Sequence, residues 1–333
     1  MNRKGIQGTY ICQSRVLLKP VIAFGAWITV DGARERIMLK IKLILCPIDF
    51  SEFSERAYGY ALSLAKHYRA KLVAQHVVEL WRYPSASFAV SAELYEGFWQ
   101  ALRERGKKQL QEFVNNYSSD EIQPELAVHE GLVPDCIMSF AQARKADVIV
   151  MGTHGRRGYD RLMLGSVTDR VMRMSSCPVL ALSKPRHDSI AAEKDRDQVH
   201  HLSRILFCAD FSENSERALN YAISATVEYG AELTLLHVLE ETPSRAKPEQ
   251  AIAAAKERLD KLIPAEERKT LKIKTAVRVG KPYWQIIQLA LEAQIDLVTM
   301  GVRGRGELDV AVFGSTTYRV MQLGTCPVLA VHV

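Results

Sequence analysis

The sequence predicts an α/β fold with parallel sheets, and it predicts that this fold occurs twice along the chain. Short apolar runs alternate with longer amphipathic stretches from Lys40 onward. Runs that are apolar on both faces are typical of strands in a parallel sheet, which helices cover on both sides. The order of these elements repeats in the second half, and both halves carry one glycine pattern. A repeat of this length indicates two duplicated domains and excludes a solenoid.

The first copy contains five predicted strands joined by helices. The strand runs are rich in Val, Ile and Leu, and the first helix begins at Ser51, a good capping residue. The strands are predicted at 41–46, 72–78, 126–129, 147–151 and 179–182, and the helices at 51–68, 92–116, 135–144 and 166–175.

The second copy repeats this order from Arg204. Asp49 and His76 have counterparts 161 residues later, whereas Gly152 and Cys177 have counterparts 149 residues later. The first copy therefore carries twelve extra residues between its second and third strands. A polar, charged stretch without apolar periodicity separates the copies and indicates a linker. The predicted organisation is an extension at 1–39, a domain at 40–184, a linker at 185–201 and a domain at 202–333.

Composition and charge narrow the function classes. The 333 residues are 47% hydrophobic and 25% charged, which is typical of a soluble protein with about two domains. No apolar stretch reaches the roughly 18 to 20 residues of a membrane span, so we expect no membrane partner. Residues 1–37 carry +4 of the net charge of +6. The remaining residues have a net charge of only +2, which gives no support for a nucleic-acid partner.

The cysteines point to a reducing compartment. The six cysteines include no C-x-x-C pair and no Cys/His cluster with zinc spacing, and most lie in apolar runs. We therefore predict buried thiols, no metal site and a cytoplasmic location.

Residues 1–39 fit neither copy. We expect an irregular extension, or a start of translation at Met38 with the upstream part misassigned. Mass spectrometry of the native N-terminus distinguishes the two.

The glycine pattern G-x-x-G-x9-G-S follows an apolar strand in each copy and precedes a helix. Glycine lets the backbone turn with positive φ and lets its N–H groups approach an anion. A helix N-terminus adds a positive dipole end. The pattern therefore predicts a phosphate cradle, although glycines that merely close a tight loop are the alternative. It is neither a Walker A loop nor a dinucleotide fingerprint. The two copies are Gly152, Gly155, Gly165 and Ser166, and Gly301, Gly304, Gly314 and Ser315.

Other polar residues stand at strand ends, where parallel sheets bind ligands. Asp49 and Asp210 follow the first strands and are candidates to accept from a ribose hydroxyl or an adenine amino group; helix capping is the alternative. His154 and Arg303 are candidate phosphate donors within the loops. The first loop also carries Arg156, Arg157 and Arg161, so we expect it to attract a polyanion more strongly.

The strand-end histidines have two interpretations. His76-Val77 and His237-Val238 place a valine where it can pack on a base, with the histidine held by internal hydrogen bonds. The histidines themselves fit core packing equally well, and we assign them no catalytic role. No Ser-His-Asp grouping, paired carboxylates or metal-ligand cluster emerges, so we predict no catalytic residues and no metal site of the protein's own.

With these residues the chain resembles a tandem universal stress protein over about residues 40–333. The signatures are Pro47-Ile-Asp-Phe-Ser51, His76-Val77, the glycine pattern with Thr168, and Cys177-Pro178, with their counterparts in the second copy. The resemblance implies five-stranded Rossmann-like domains of the adenine nucleotide alpha hydrolase-like type, with helices on both faces. It also implies ATP or another adenine nucleotide as ligand. Mg²⁺ or Mn²⁺ could arrive with the nucleotide, held mostly by phosphate oxygens and water.

The resemblance assigns nucleotide-binding residues position by position. It further implies that the last strands, 179–182 and 328–331, meet within one chain as a pseudo-dimer, with a homodimer as a second possibility. Ala209 beside Asp210 departs from the Pro47-Ile48 pair of the first copy. The implied residues are Pro47, Asp49, Val77, Met151, Gly152, His154, Gly155, Gly165, Ser166, Val167 and Thr168 in the first copy, and Asp210, Val238, Met300, Gly301, Arg303, Gly304, Gly314, Ser315, Thr316 and Thr317 in the second.

We therefore expect an ATP-binding stress-response protein that senses or stores nucleotide, acts through unidentified protein partners, and is not an enzyme. One alternative is a slow ATPase or autophosphorylating protein, with Ser166 or Thr168 as acceptors. A second is a scaffold with vestigial pockets. Fold alone does not decide among these.

Overall fold

The structure is a computed structural model, and it describes residues 27–30, 33–36, 40–79, 92–117, 121–155, 163–183, 202–240, 248–302 and 314–332. The first repeat alternates strands and helices as predicted, with small shifts at the element ends. Its elements are β3 Leu43–Pro47, α1 Glu52–Tyr68, β4 Lys71–Glu79, α2 Ala92–Asn115, β5 Glu125–Gly131, α3 Val133–Arg144, β6 Val148–Gly152, α4 Ser166–Met174 and β7 Val179–Leu182.

The second repeat has the same order and also contains the short helix α7. Helix α2 has 24 residues and its counterpart α6 has 13, so much of the extra length of the first copy lies in this helix. The elements are β8 Arg204–Cys208, α5 Glu213–Tyr229, β9 Glu232–Leu239, α6 Pro248–Asp260, α7 Ala265–Thr270, β10 Lys272–Val279, α8 Pro282–Glu292, β11 Leu297–Gly301, α9 Ser315–Leu323 and β12 Val328–Val331.

Ten strands form one continuous sheet in the order β10-β9-β8-β11-β12-β7-β6-β3-β4-β5. Every neighbouring pair is parallel except β12 and β7, which are antiparallel. Each repeat therefore contributes a five-stranded parallel sheet. This confirms the predicted fold class.

The two repeats join through their last strands, as predicted. Leu329 lies opposite Leu180, while Val328 lies opposite Ala181 and Ala330 opposite Val179. Leu180 and Leu329 are equivalent positions, 149 residues apart, so a pseudo-two-fold axis passes between them. The pairing also gives each of these strands a second neighbour, which removes two exposed sheet edges.

Side chains of α1 and α5 form a second layer of this junction. His67 Nε2 lies 3.0 Å from a carboxylate oxygen of Glu228, and its ring stacks on Tyr229 with centroids 4.4 Å apart. Tyr68 meets Tyr229 edge to face. His67 and Glu228 are equivalent positions, 161 residues apart. The junction is therefore symmetric in backbone but pairs unlike side chains across the axis.

Helices cover both faces of the sheet and enclose two apolar cores. One core lies under α1, α2, α5 and α6, and the other lies under α3, α4, α8 and α9. Residues of both repeats contribute to each core. Hydrophobic burial therefore runs across the junction instead of stopping at each domain.

Local sequence explains the helix ends. Ser51 caps α1 and accepts from the Ser54 N–H at 3.2 Å, as the sequence predicts. Ser166, by contrast, is the first helical residue of α4, and Gly165 is the cap. The predicted position of Ser166 near the N-cap was therefore right to within one residue.

The predicted extension contains two short strands. β1 Trp27–Val30 pairs antiparallel with β2 Ala33–Arg36, and the pair is separate from the main sheet. The two residues between them in sequence are Asp-Gly, a pair typical of hairpins. These eight residues are therefore paired where the sequence predicts an irregular segment, and the boundary of the extension stays a prediction. Over the described ranges, no helix is long and apolar enough to cross a membrane.

The stacking at the junction gives a test of domain docking. We expect Tyr229→Ala to weaken the contact of α5 with α1, because it removes an aromatic pair worth about 0.5–1.5 kcal/mol beyond its buried area. Hydrogen exchange at residues 180–182 and 329–331 should become faster. Tyr283→Ala, which removes a ring that packs against α9 through Arg319, is the control and should leave exchange at the junction unchanged. Equal effects of the two variants would contradict the role of Tyr229 in docking the two domains.

Candidate functional site

One cavity brings together the residues that the sequence predicts to bind nucleotide in the first domain. Its volume is about 570 Å³, within the range of small-molecule sites. It lies at the carboxyl ends of β3, β4 and β6, beside the start of α4. All eleven predicted residues line it, namely Pro47, Asp49, Val77, Met151, Gly152, His154, Gly155, Gly165, Ser166, Val167 and Thr168.

The cavity lies where connections diverge from the sheet. β3 lies between β4 and β6. Helix α1, which follows β3, packs in one core, whereas α4, which follows β6, packs in the other. Ligands of open parallel sheets bind at such switch points, so the topology favours this cavity as the functional site.

Asp49 is held by the residues that follow it. Its Oδ1 accepts from the Ser51 backbone N–H at 3.1 Å and from the Ser51 hydroxyl at 2.6 Å. Phe50 lies between them with φ of 62°, in the left-handed region that large side chains rarely adopt. The capping residue of α1 is Ser51 itself. Asp49 therefore supports the cap and also lines the cavity, and its role as a hydrogen-bond acceptor for a ligand stays a prediction.

Gly152 and Gly155 permit two close approaches. A Cβ atom at Gly152 would lie 2.6 Å from the Cβ atom of Phe53 in α1. A Cβ atom at Gly155 would lie 2.7 Å from Asp49 Oδ2. The first glycine therefore allows a helix to pack against the end of β6, and the second allows the loop to lie against the carboxylate.

The predicted positive φ is not found at the described glycines of the pattern. The described glycines with positive φ are Gly131, Gly230 and Gly280, which lie elsewhere. Gly165 has φ of −58°, and its Cβ position lies 3.1 Å from the Thr153 carbonyl oxygen. This expectation was wrong because the loop needs space for neighbouring atoms and not an unusual backbone turn.

Thr168 and Thr317 fasten the starts of their helices to strand ends. The Thr168 hydroxyl donates to the Gly152 carbonyl at 2.8 Å, and the Thr317 hydroxyl donates to the Gly301 carbonyl at 3.0 Å. Both residues are buried. The hydroxyl proton of each is thus committed to the backbone. Ser166 differs because it is exposed at the first position of α4.

His154 is a candidate hydrogen-bonding residue whose imidazole ring is neutral near pH 7. Its ring packs on Phe53 with centroids 5.1 Å apart, and Nδ1 lies 2.9 Å from the Thr153 hydroxyl oxygen. Burial lowers the pKa of the His154 imidazole below its ordinary value. The direction of the Thr153 contact depends on the tautomer of the ring, and the backbone of Met163 partly offsets the effect of burial on the pKa of His154.

His76 and His237 play matching structural roles. His76 Nδ1 lies 2.8 Å from the Ile48 carbonyl oxygen, and His237 Nδ1 lies 2.6 Å from the Ala209 carbonyl oxygen. Each ring packs on the phenylalanine that follows the strand-end aspartate, with centroids 4.6 Å apart. The histidines therefore hold the segment after the first strand, in agreement with the interpretation that they are held by internal hydrogen bonds.

A polar group at the floor of the cavity was missed. Gln75 lines the cavity and is fully buried. Its Nε2 lies 3.1 Å from His129 Nδ1 and 3.3 Å from the Cys136 carbonyl oxygen. The available signal was a glutamine inside an otherwise apolar strand, at the position of Leu236 in the second copy.

Helices α2 and α3 add walls that were also missed, because sequence cannot show which helix closes over a strand end. Gly106 lets α2 approach β4, since a Cβ atom there would lie 3.3 Å from His76 Cδ2. The further lining residues are Ile48, Ser54, His76, Val78, Glu79, Leu102, Arg105, Gln109, Val133, Ile137, Met163 and Leu164.

The second domain repeats part of this arrangement. Asp210 Oδ1 accepts from the Ser212 N–H at 2.9 Å and from its hydroxyl at 2.7 Å, and Phe211 has φ of 61°. A Cβ atom at Gly301 would lie 2.9 Å from the Asn214 Cβ atom. Val238 lies near the carboxyl end of β9, and Met300 and Gly301 are the last residues of β11. Helix α9 starts with the cap Gly314, followed by Ser315, Thr316 and Thr317.

Some predicted residues lie outside the described part of the chain. These are Arg303 and Gly304 of the second loop and Arg156, Arg157 and Arg161 of the first.

The five described cysteines carry free thiols, and burial raises the pKa of Cys177 to about 11 and that of Cys326 to about 12. Over the ranges that the structure describes, no group of three or more His, Cys, Asp or Glu residues is placed to hold a metal ion.

A family model for the universal stress protein family matches residues 40–183 and again residues 201–332. The chain belongs to this family. The two matches correspond to the two repeats, so the protein contains two universal stress protein domains. The resemblance stated on the sequence motifs is confirmed.

Individual relatives agree with this assignment. A universal stress protein of Methanocaldococcus jannaschii is 34% identical over 151 residues, which is 44% of this chain and 85% of the relative. One from Mycolicibacterium smegmatis is 25% identical over 309 residues, which is 87% of this chain and 96% of the relative. The crystal structure of a universal stress protein from Archaeoglobus fulgidus covers 87% of this chain and 96% of its own, with a TM-score of 0.61 and 21% identity.

The two loop glycines give a paired test of the universal stress protein fold. We expect Gly152→Ala to destabilise the protein by about 1–3 kcal/mol, because the new methyl group meets the backbone and Cβ of α1. Gly155→Ala meets a carboxylate oxygen and should cost less stability. Denaturant unfolding of both variants measures the difference. A Gly155→Ala variant as unstable as Gly152→Ala would show that both glycines serve packing alone.

Two partly buried histidines predict a pH dependence of stability. Burial lowers the pKa values of His129 and His154, whereas the unfolded chain binds these protons near pH 6.5. The unfolded state therefore binds more protons as the pH falls from about 7.5 to 5.5, and the free energy of unfolding should fall with it. The double variant His129→Gln, His154→Gln should show a shallower dependence over this range. If the free energy of unfolding of the double variant depends on pH as steeply as that of wild type, these two histidines do not cause the dependence.

Proposed function

We propose that this universal stress protein binds ATP, or another adenine nucleotide, in the cavity of its first domain. The observation that carries the proposal is that one cavity is lined both by glycines of the pattern with the first turn of α4 and by the apolar side chains of Val77, Ile137 and Met151. A triphosphate and a purine base have the matching difference in polarity.

The first turn of α4 suits phosphate groups. Gly165 caps α4 without a side-chain hydrogen bond to the first turn, so the N–H groups of the turn remain available to a ligand. Asp169, the acidic residue in this turn, is paired with Arg173 at 2.9 Å, which reduces its repulsion of an anion. A divalent ion would be held mainly by phosphate oxygens and water, because the described residues offer no metal cluster.

We further propose that the protein is a nucleotide-dependent sensor or regulator in a stress response, acting in the cytoplasm through protein partners. A fast hydrolase needs a positioned base beside the terminal phosphate. Of the described loop residues 152–155 and 163–165, His154 carries the titratable side chain, and its Nδ1 contacts the Thr153 hydroxyl. This arrangement supports binding more than turnover.

Slow autophosphorylation is a second candidate function, and one observation favours a specific acceptor. Ser166 is exposed at the start of α4, while the hydroxyl proton of Thr168 is bonded to Gly152. Incubation with labelled ATP should then label wild type and Thr168→Val but not Ser166→Ala. If none of the three proteins is labelled, the autophosphorylation proposal fails and nucleotide binding remains the proposed function.

Calorimetry of the full chain, after removal of any carried ligand with acid, tests the main proposal. We expect two ATP sites of unequal affinity, since we propose the second loop as a weaker site. Gly165→Val should remove the tighter site and Gly314→Val the weaker one, each with a loss of at least about tenfold, because a branched side chain fills the approach to the helix N-terminus. Absence of binding at millimolar ATP would favour the scaffold with vestigial pockets.

A further inference from the structure

A second cavity lies in the second domain, at the amino ends of β11 and β12. Its volume is about 380 Å³, which is within the range of small-molecule sites. Residues that precede and begin these two strands line it, and it shares no lining residue with the first cavity. The nucleotide loops follow the carboxyl ends of strands, so this cavity is separate from both proposed nucleotide sites.

The cavity includes one residue of the first domain, Arg56 of α1. The antiparallel pairing of β7 with β12 places the carboxyl end of β7 beside the amino end of β12. Arg56 Nη1 donates to the carbonyl oxygen of Ser183, which follows β7 directly. The cavity therefore lies at the junction of the two domains, and ligand sites occur preferentially at such interfaces.

Arg56 is a partly buried cation without a counter-ion. None of the ion pairs within the described part of the chain includes it. Burial lowers the pKa of the Arg56 guanidinium, and the groups that oppose this effect are the Tyr60 phenol and the Cys326 thiol. Burial also raises the pKa of Tyr60 above its ordinary range and that of Cys326 to about 12, so both groups are neutral near pH 7. A buried charge without a partner is unfavourable, and a bound anion would supply the partner.

The second repeat shows the alternative arrangement. Glu213 and Arg217 are the counterparts of Glu52 and Arg56, 161 residues later. Arg217 Nη2 pairs with a Glu213 carboxylate oxygen at 3.3 Å, on the exposed side of α5. Glu52 stands at the same spacing before Arg56, but the Arg56 side chain turns to the end of β7 and to the cavity instead. The same local sequence therefore gives an ion pair in one helix and an unpaired cation in the other.

The free edge of the Arg56 guanidinium suits a carboxylate. Nη1 is committed to the Ser183 carbonyl. Nε and Nη2 have no hydrogen-bond partner within the described ranges, yet neither is among the fully buried polar atoms that lack one, so both keep accessible surface. These two groups can donate side by side to the two oxygens of one carboxylate.

The rest of the lining limits the charge of the ligand and favours an apolar body. Ile287 and Leu291 of α8 contribute apolar side chains. Asp296 also lines the cavity, and its Oδ2 accepts from the backbone N–H groups of Ser203 and Arg204, each at 2.8 Å. The negative charge of Asp296 disfavours a dianion beside it.

We propose that the cavity at the amino ends of β11 and β12 binds a small organic monocarboxylate with an apolar body. The carboxylate pairs with Arg56, and the apolar body lies against Ile287 and Leu291. The site does not rest on the proposed nucleotide binding.

Methyl NMR of the full chain, with Ile and Leu methyl groups labelled, tests the site. We expect hexanoate to shift the resonances of Ile287 and Leu291 and to leave those of Ile48 and Ile137 in the first cavity unchanged. Hexanamide has a similar apolar body without the charge and should bind at least about tenfold more weakly. Acetate, which lacks the apolar body, should also bind more weakly. Equal affinities of hexanoate and hexanamide, no shift at the highest soluble hexanoate concentration, or tighter binding of inorganic phosphate would overturn the inference.

Variants then assign the binding to Arg56. Arg56→Leu should weaken hexanoate binding at least about tenfold, whereas Arg56→Lys should weaken it in part, because it keeps the charge and loses the paired donors. Arg217→Leu removes the equivalent arginine of α5 and is the matched control, with no expected change. Equal effects of Arg56→Leu and Arg217→Leu would contradict the proposed site. If Arg56→Leu is unstable, the comparison of hexanoate with hexanamide in wild type decides by itself.

Discussion

The site depends on one constraint, the close contact between the first turn of α1 and the end of β6. Phe53 occupies the space where a Cβ atom of Gly152 would lie, and Asn214 does the same at Gly301. This contact brings the segment of Asp49 against the β6–α4 loop, so that Asp49 and Gly155 become neighbours. A glycine at the strand end is therefore required by packing before any ligand is considered. Because both domains keep it, it is the part of the pattern that the fold itself explains.

The junction of β7 with β12 makes the two domains one structural unit. The antiparallel pairing is symmetric about Leu180 and Leu329, and the two cores continue across it. The side chains above it are not symmetric, since His67 meets Glu228. Pairing of two first domains would place like residues on the axis instead. The contact thus favours association of unlike domains, which the covalent chain already brings together at high effective concentration.

Duplication has left the domains similar in fold and different in site chemistry. The strand-end aspartates, the left-handed phenylalanines and the buried threonines repeat with nearly equal geometry. These residues build the strand-to-helix turns, and a change in them would disturb the fold. The floor and wall of the cavity are free of that requirement, and there the domains differ, as at Gln75 and Leu236. A division of labour between the two proposed nucleotide sites is consistent with this distribution.

The sequence by itself determined the fold class, the repeat and the residues around the first cavity. Apolar runs, capping residues and glycine spacing are local signals, and strand ends of a parallel sheet converge on one edge. The tertiary structure alone decided what those residues do there. Thr168 is committed to a carbonyl, Gly152 serves a helix contact, and α2 closes over β4 at Gly106. Such roles follow from which elements meet in space, and a single strand or helix read along the sequence does not show them.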